Sequence, residues 1–192
     1  MPKVFSEEEK LAHKTTLLEQ GLSMIMERGY KNVTVDQLIG LIHASKGYFY
    51  LMFESKEAFF LQAIMWQMER HLEELSQARE NGAGPEELSH LYRRLFFCAN
   101  FTNYEDLLYI GDKVSAEQWA QFRSFEEQHY QKVVRLFGKD PAVCDPKVMS
   151  NLSAMTYLSY GMDSKALCLF PETHKEVLNI MLDSMHRYVM EH

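Results

Sequence analysis

A short stretch from Ser45 to Phe53 combines a charged side chain, two phenols and a glycine with two apolar rings. Phe49 and Phe53 are four residues apart, which predicts that they form the buried face of one helix. The residues left to face outward are Lys46, Gly47, Tyr48 and Tyr50. An ammonium group binds phosphate, and lysine and tyrosine side chains also hydrogen-bond base edges. The stretch therefore predicts contacts with nucleic acid.

The preceding residues predict a second short helix and a tight turn. Thr34 and Gln37 have the spacing of a capping box, in which each side chain satisfies a backbone N–H of the other. The buried side of this helix is predicted to be Leu38, Ile39, Leu41 and Ile42. A turn at Ile42 to Ala44 then leads to Ser45, a good N-cap. Two short helices joined in this way are typical of a helix-turn-helix unit.

The flanking helices are also marked by caps. An apolar stripe predicts a first helix, and it consists of Leu18, Leu22, Ile25 and Met26. Gly29 is predicted to end that helix. Ser55 is predicted to cap a fourth helix, with Lys56 in its first turn, and free amides at a helix start favour a phosphate.

Together these spaced motifs resemble the N-terminal DNA-binding domain of the TetR family of bacterial transcriptional regulators, from about Leu11 to Ala63. The resemblance implies that Thr34 touches the DNA backbone and that Lys56 binds a phosphate. It implies a recognition helix whose DNA-contacting residues are Ser45, Lys46, Gly47, Tyr48 and Tyr50. It further implies a homodimer, a helical second domain with a ligand cavity, and ligand-controlled release from an operator.

Three positions depart from the family pattern. His43 stands where the family commonly has glycine, so a non-glycine residue must tolerate the turn. Leu51 and Met52 replace polar or aromatic residues and cannot hydrogen-bond a phosphate. Tyr48 replaces a smaller residue, which predicts a change in the bases that are read. The operator sequence does not follow from these residues.

The charge balance argues against a generally basic protein. The chain carries 20 Lys+Arg against 27 Asp+Glu, a formal charge of −7. Residues 1–60 contain seven basic and eight acidic residues, so this part is close to −1. A basic face must then come from local placement, and we expect weak, strongly salt-dependent non-specific DNA binding.

The length and helical patterning predict an all-α protein with two domains. Residues 1–54 are predicted to form the three-helix DNA-binding domain, and residues 55–192 a larger helical effector-binding and dimerisation domain. The chain has no apolar run of 18 residues and no apolar signal segment at its start, so we expect a cytoplasmic protein. Three scattered cysteines without a CxxC motif suit a reducing compartment.

The last two helices are predicted to form the dimer interface. The final helix carries a broad apolar stripe made of Leu178, Met181, Leu182, Met185, Tyr188 and Val189. Packing of both helices on their own domain is the alternative. Two long apolar-faced helices also match the place where the TetR family forms its dimer bundle.

Aromatic residues are dense in the middle of the chain. The predicted lining of an effector cavity is Trp66, Phe97, Phe101, Tyr104, Trp119, Phe122 and Tyr157. Ligand sites are mostly apolar with a few polar anchors, so this lining favours a small apolar or aromatic effector. Aromatic residues at helical spacing also occur in ordinary cores, and that alternative stays open.

No pattern indicates catalysis, a metal site or a cofactor. Two Glu-x-x-His pairs occur, Glu126 with His129 and Glu87 with His90, but a di-metal bundle needs further carboxylates. Both pairs are interpreted as solvated helix faces. The prediction is a ligand-responsive repressor, not an enzyme, that binds a palindromic double-stranded operator as a homodimer. The alternative is a helical small-molecule-binding or protein-interaction module whose DNA-binding function has been lost.

Overall fold

A computed structural model describes residues 5–98, 104–161 and 168–192, and within these ranges the regular structure is helical. The α-helices are α1 Glu7–Thr16, α2 Leu22–Arg28, α3 Val35–Gly40, α4 Lys46–Met52, α5 Lys56–Glu80, α6 Pro85–Cys98, α7 Tyr104–Gly111, α8 Ala116–Leu136, α9 Pro146–Gly161 and α10 His174–Glu191. The predicted all-α fold is confirmed. None of the described helices is long and apolar enough to span a bilayer.

Helices α1 and α2 form one continuous helical segment, the N-terminal arm. Ser6 caps α1 by a capping box with Glu9, and a π-helical turn at Leu17–Gly21 joins the two helices. A Cβ at Gly21 would lie 2.8 Å from Cζ of Phe59 and 3.0 Å from Cδ2 of Leu38. Glycine is therefore what allows the arm to pack so closely against α3 and α5.

The helix-turn-helix forms as the caps predict. Gly29 ends α2 with φ 84° and ψ 143°, a conformation that suits glycine. Thr34 and Gln37 form the predicted capping box at the start of α3, with backbone-to-side-chain bonds of 2.8 and 3.2 Å. Ser45 occupies the N-cap position of α4, but its side chain makes no capping bond. Ser55 caps α5 through the amide of Ala58 at 3.0 Å.

Two hydrophobic cores organise the molecule. The N-terminal core contains the buried side chains of α2 to α4, together with Phe59, Phe60 and Leu61 of α5. It also contains Ile110 of α7 and Val114 just beyond that helix. The C-terminal core joins α5, α6, α8, α9 and α10. The first turns of α5 thus belong to the N-terminal core, and α7 reaches across from the second half of the chain.

The last helix turns its predicted interface stripe inward. Leu178, Leu182, Met185 and Val189 are buried within the protein's own C-terminal region. The prediction that this stripe forms the oligomer surface is therefore wrong, because it fills the core of its own subunit. A different apolar row stays exposed on the two C-terminal helices, and it consists of Val148 and Met155 on α9 and Val177 and Ile180 on α10.

The turn between α3 and α4 contains the backbone strain that the missing glycine implies. His43 has φ 51°, and among the described residues other than glycine no other φ is positive. The left-handed region costs a non-glycine residue about 1–2 kcal/mol. A glycine at position 43 would avoid this cost. Glycine loses more backbone entropy on folding, however, and this loss offsets about 0.5–1 kcal/mol of the stability gained.

We expect His43→Gly to raise the free energy of unfolding by about 0.5 kcal/mol, because relief of strain exceeds the added entropy cost. Urea denaturation followed by circular dichroism measures the change. The matched control is His90→Gly, an exposed histidine inside α6, which should lower the free energy of unfolding by about 1 kcal/mol. A loss of stability in His43→Gly would show that the turn is not strained.

Candidate nucleic-acid interface and internal cavity

The outer face of α4 is an exposed surface at the N-terminal end of the molecule. Phe49 and Phe53 are buried as predicted, which orients the helix. Ser45, Lys46 and Gly47 are exposed. Tyr50 is 48% exposed and Leu51 is 84% exposed. The surface thus combines hydrogen-bond donors, a glycine whose backbone a binding partner can approach closely, and one exposed aliphatic side chain.

Tyr48 does not project freely from this surface. Its ring packs on Phe5 with centroids 4.6 Å apart. Its hydroxyl lies 3.3 Å from Nδ1 of His13 on α1. Burial raises the pKa of Tyr48. The side chain therefore ties α4 to the first helix, a contact that helical periodicity within α4 could not reveal.

Lys46 is held by a neighbouring acid. Its Nζ donates to Oδ2 of Asp36 at 3.1 Å, so the start of α4 is linked to the first turn of α3. Both side chains are more than half exposed. The sequence analysis did not identify Asp36 as a partner of Lys46. Asp36 lies two residues after Thr34, so it places a negative charge beside the residues predicted to contact DNA.

Lys56 is partly buried. Its Nζ donates to the backbone oxygen of Tyr30 at 2.5 Å and stands 3.9 Å from the centre of the Tyr30 ring. Burial lowers the pKa of Lys56, although Glu57 and Asp106 oppose that shift. One of its three N–H groups is therefore engaged within the protein.

A carboxylate from α7 holds the other side of Tyr30. Oδ2 of Asp106 accepts the backbone N–H of Tyr30 at 2.6 Å, and both residues are buried. The bond connects positions 76 residues apart in the chain. It fixes the segment between α2 and the helix-turn-helix to the second half of the protein.

A cavity of about 400 Å³ lies between the two cores. Phe60, Leu61 and Ile110 belong to the N-terminal core and also line the cavity. On the other side, Leu75 and Tyr130 line it from the C-terminal core. A molecule in this cavity would contact side chains that also belong to the core of the helix-turn-helix.

Only some of the residues predicted to line the cavity do so. Trp119, Phe122 and Tyr157 line the cavity. Trp66 does not, because it faces a separate groove near Leu22 and Met26 and packs beside the guanidinium of Arg70. Phe101 and the side chains of Phe97 and Tyr104 lie outside the described residues.

Polar side chains that sequence analysis did not choose also line the cavity: Gln67, His71, Tyr92, Arg123, Glu126, His129 and Ser153. The hydroxyls of Tyr92 and Tyr130 lie 3.4 Å apart. Glu126 accepts a short hydrogen bond from the hydroxyl of Ser150. Among the described residues, no group of three or more His, Cys, Asp or Glu is arranged to hold a metal ion.

The interpretation of Glu126 and His129 as a solvated face is wrong. His129 is only 6% exposed, and both residues face the cavity because α8 turns that side toward α5. Burial, followed by the charges of His71 and Lys132, lowers the pKa of His129 to about 4. Burial raises the pKa of the Glu126 carboxyl, against the hydrogen bond from Ser150. The other pair behaves as predicted, since Glu87 and His90 are exposed.

Comparison with known proteins supports the reading of the N-terminal domain. Residues 17–63 match the model of the bacterial regulatory proteins of the tetR family. A solved structure from Vibrio parahaemolyticus, titled as a candidate transcriptional regulator of the TetR family, is 15% identical with a TM-score of 0.52. The alignment covers 89% of this chain and 97% of that one, and at this identity it shows the fold.

A second solved structure, titled as a candidate transcriptional regulator from Pseudomonas aeruginosa PAO1, is 14% identical. Its alignment covers 91% of this chain and 90% of that one, but with a TM-score of 0.37 it carries no argument. A search of curated proteins found no match.

Proposed function

The chain belongs to the TetR family of bacterial transcriptional regulators, and we propose that it represses transcription by binding a palindromic operator as a homodimer. A small molecule that enters the cavity between the two cores releases the DNA. The protein acts in the cytoplasm, where that DNA lies. The observation that carries the proposal is the outward face of α4 within a domain that matches the family model.

The base-reading surface centres on the first two turns of α4. Lys46, Gly47 and Tyr50 are exposed and can meet base edges and phosphates in the major groove, with Lys46 sharing its charge with Asp36. The exposed Leu51 adds an apolar side chain that suits the methyl group of thymine. Tyr48 contributes mainly by fixing the tilt of α4 on α1, because His13 and Phe5 hold its ring and hydroxyl.

The backbone contacts come from the helix starts. Thr34 and Ser45 are exposed at the N-termini of α3 and α4, and Ser45 keeps its hydroxyl available because it does not cap. Lys56 retains two N–H groups beyond its bond to Tyr30, at a helix start whose amides favour an anion. These groups position the protein but do not distinguish sequences.

The homodimer forms through the exposed row on α9 and α10. Met155 and Ile180 are 63% and 57% exposed, and Val177 is 44% exposed. Apolar side chains that recur on one face of two neighbouring helices form a patch that a second copy can cover. Two-fold symmetry would then place two recognition helices about 34–36 Å apart, one turn of DNA.

The DNA test begins with selection of genomic fragments at low salt, followed by sequencing of the retained DNA. Palindromic fragments should be enriched. On such a fragment we expect Lys46→Ala to weaken binding and to reduce the log–log salt slope by about 0.9, the loss of one phosphate contact. Asp36→Asn should tighten binding a few-fold, because it removes a negative charge beside Lys46.

The matched control is Lys147→Ala, since Lys147 is exposed on α9 and pairs with Glu127 far along the chain from α4. It should leave both affinity and slope unchanged. Equal effects of Lys46→Ala and Lys147→Ala would remove α4 from the interface. Retention of fragments without a shared sequence would favour a ligand-binding or protein-interaction module that has lost operator recognition.

The dimer proposal predicts that Ile180→Asp produces monomers, because a carboxylate cannot be buried unpaired in an apolar interface. Sedimentation equilibrium measures the mass of the wild type and the variant. Val143→Asp is the control, because Val143 is 58% exposed in a turn outside the proposed row. A dimer that persists in Ile180→Asp would place the interface elsewhere.

The bond from Asp106 to Tyr30 is proposed to transmit occupancy of the cavity to the helix-turn-helix. We expect Asp106→Ala to speed hydrogen exchange at the Tyr30 amide at least tenfold, because a buried N–H loses its acceptor. Asp106→Asn keeps an acceptor oxygen and should have a smaller effect. Amides of α10 are the internal control, and unchanged exchange at Tyr30 would rule out the bridge.

A further inference from the structure

Among the described residues that line the cavity between the two cores, one carboxylate has no cationic partner. Glu126 lines the cavity and is largely buried there. Among the described residues, no lysine, arginine or histidine forms an ion pair with it. Its recorded partner is the hydroxyl of Ser150, a neutral donor. A buried carboxylate that lacks a counter-ion is costly, and a ligand that brings a positive charge would remove that cost.

The walls around this carboxylate are rich in aromatic rings. Phe60, Phe96, Trp119 and Phe122 line the cavity together with Tyr92 and Tyr157. Aromatic faces attract cations as well as apolar groups. The volume of about 400 Å³ falls within the range of sites for small organic molecules.

The neighbouring residue His129 adds no positive charge to this part of the cavity. His129 is 6% exposed, lines the same cavity one helical turn from Glu126, and has no hydrogen-bond partner for Nδ1. The ring stays neutral at pH 7, since its pKa is about 4. A neutral imidazole neither repels a cationic ligand nor pairs with the Glu126 carboxylate.

We propose that the effector is a lipophilic organic cation, an aromatic body that carries a basic amine. Its ammonium group pairs with the Glu126 carboxylate. The rings from α5, α6 and α8 enclose its apolar part. This assignment rests on the proposed effector-controlled function and specifies which effectors that site accepts.

The charges of the lining oppose an anionic ligand. A carboxylate would meet Glu126 inside the cavity, and like charges at short range disfavour each other. The remaining formal cation of the described lining is Arg123, which is exposed and therefore strongly hydrated at the edge. His71 does not supply a positive charge readily, because burial lowers its pKa.

The experiment compares three probes that share one biphenyl body: 4-phenylbenzylamine, 4-ethylbiphenyl and biphenyl-4-carboxylate. The first is cationic at pH 7, the second is its neutral isostere, and the third is anionic. Affinities for the protein are measured by tryptophan fluorescence, since Trp119 lines the cavity. We expect the amine to bind at least tenfold more tightly than 4-ethylbiphenyl, and the carboxylate to bind most weakly.

Glu126→Gln should abolish the preference for the amine and leave the affinity of 4-ethylbiphenyl nearly unchanged. That neutral probe also shows that the variant cavity is folded. Glu127→Gln is the matched control, because Glu127 is the next residue on α8 but pairs with Lys147 outside the cavity. It should keep the full preference.

The outcomes separate this inference from the proposed function. Equal binding of amine and isostere, tighter binding of the carboxylate, or a preference that survives Glu126→Gln would each overturn the cation assignment. So would failure of all three probes to bind. Release of the selected DNA fragment by 4-ethylbiphenyl as readily as by the amine would overturn the assignment while leaving effector-controlled DNA binding intact.

Discussion

The arrangement of the molecule depends on how Tyr30 is held. Its backbone N–H is bound by Asp106, its carbonyl by Lys56, and its ring packs edge-on against Phe60 with centroids 5.4 Å apart. Three elements therefore meet at one residue: the end of α2, the start of α5 and α7. Tyr30 is 1% exposed, so protein atoms surround it on all sides. A shift of α5 or α7 is therefore expected to move Tyr30 and with it the loop that leads into α3.

Features of the fold that depend on neighbouring residues could be predicted from the sequence. Thr34 with Gln37 and Ser55 with Ala58 form caps because their partners are three residues away, and the chain geometry of a helix start brings them together. The strained turn at His43 follows in the same way from a local backbone requirement. The spacing of Phe49 and Phe53 is enough to predict which face of α4 is buried.

Contacts between distant elements could not be predicted in this way. Nothing near Asp106 indicates that its carboxylate binds a backbone amide 76 residues earlier. Glu126 and His129 looked like a solvated face because spacing alone does not say which side of α8 meets a neighbour. The same ambiguity reversed the two faces of α10, where Leu182 fills the core and Ile180 is left exposed. Periodicity identifies a face, but only packing identifies its environment.

The two lysines at the proposed DNA interface both have partners within the protein, which suits the proposed control by a small structural change. Lys46 is already paired with Asp36 and Lys56 with the Tyr30 carbonyl, so each must share its donors with the protein. Fewer phosphate contacts lower the non-specific share of the binding free energy. In the proposed homodimer, specific binding then depends more on the spacing of the two α4 helices, which a tilt of α5 and α7 would alter. A coupling of about 1–3 kcal/mol is ordinary for linked sites. A cavity that shares Phe60 and Ile110 with the N-terminal core is well placed to supply it.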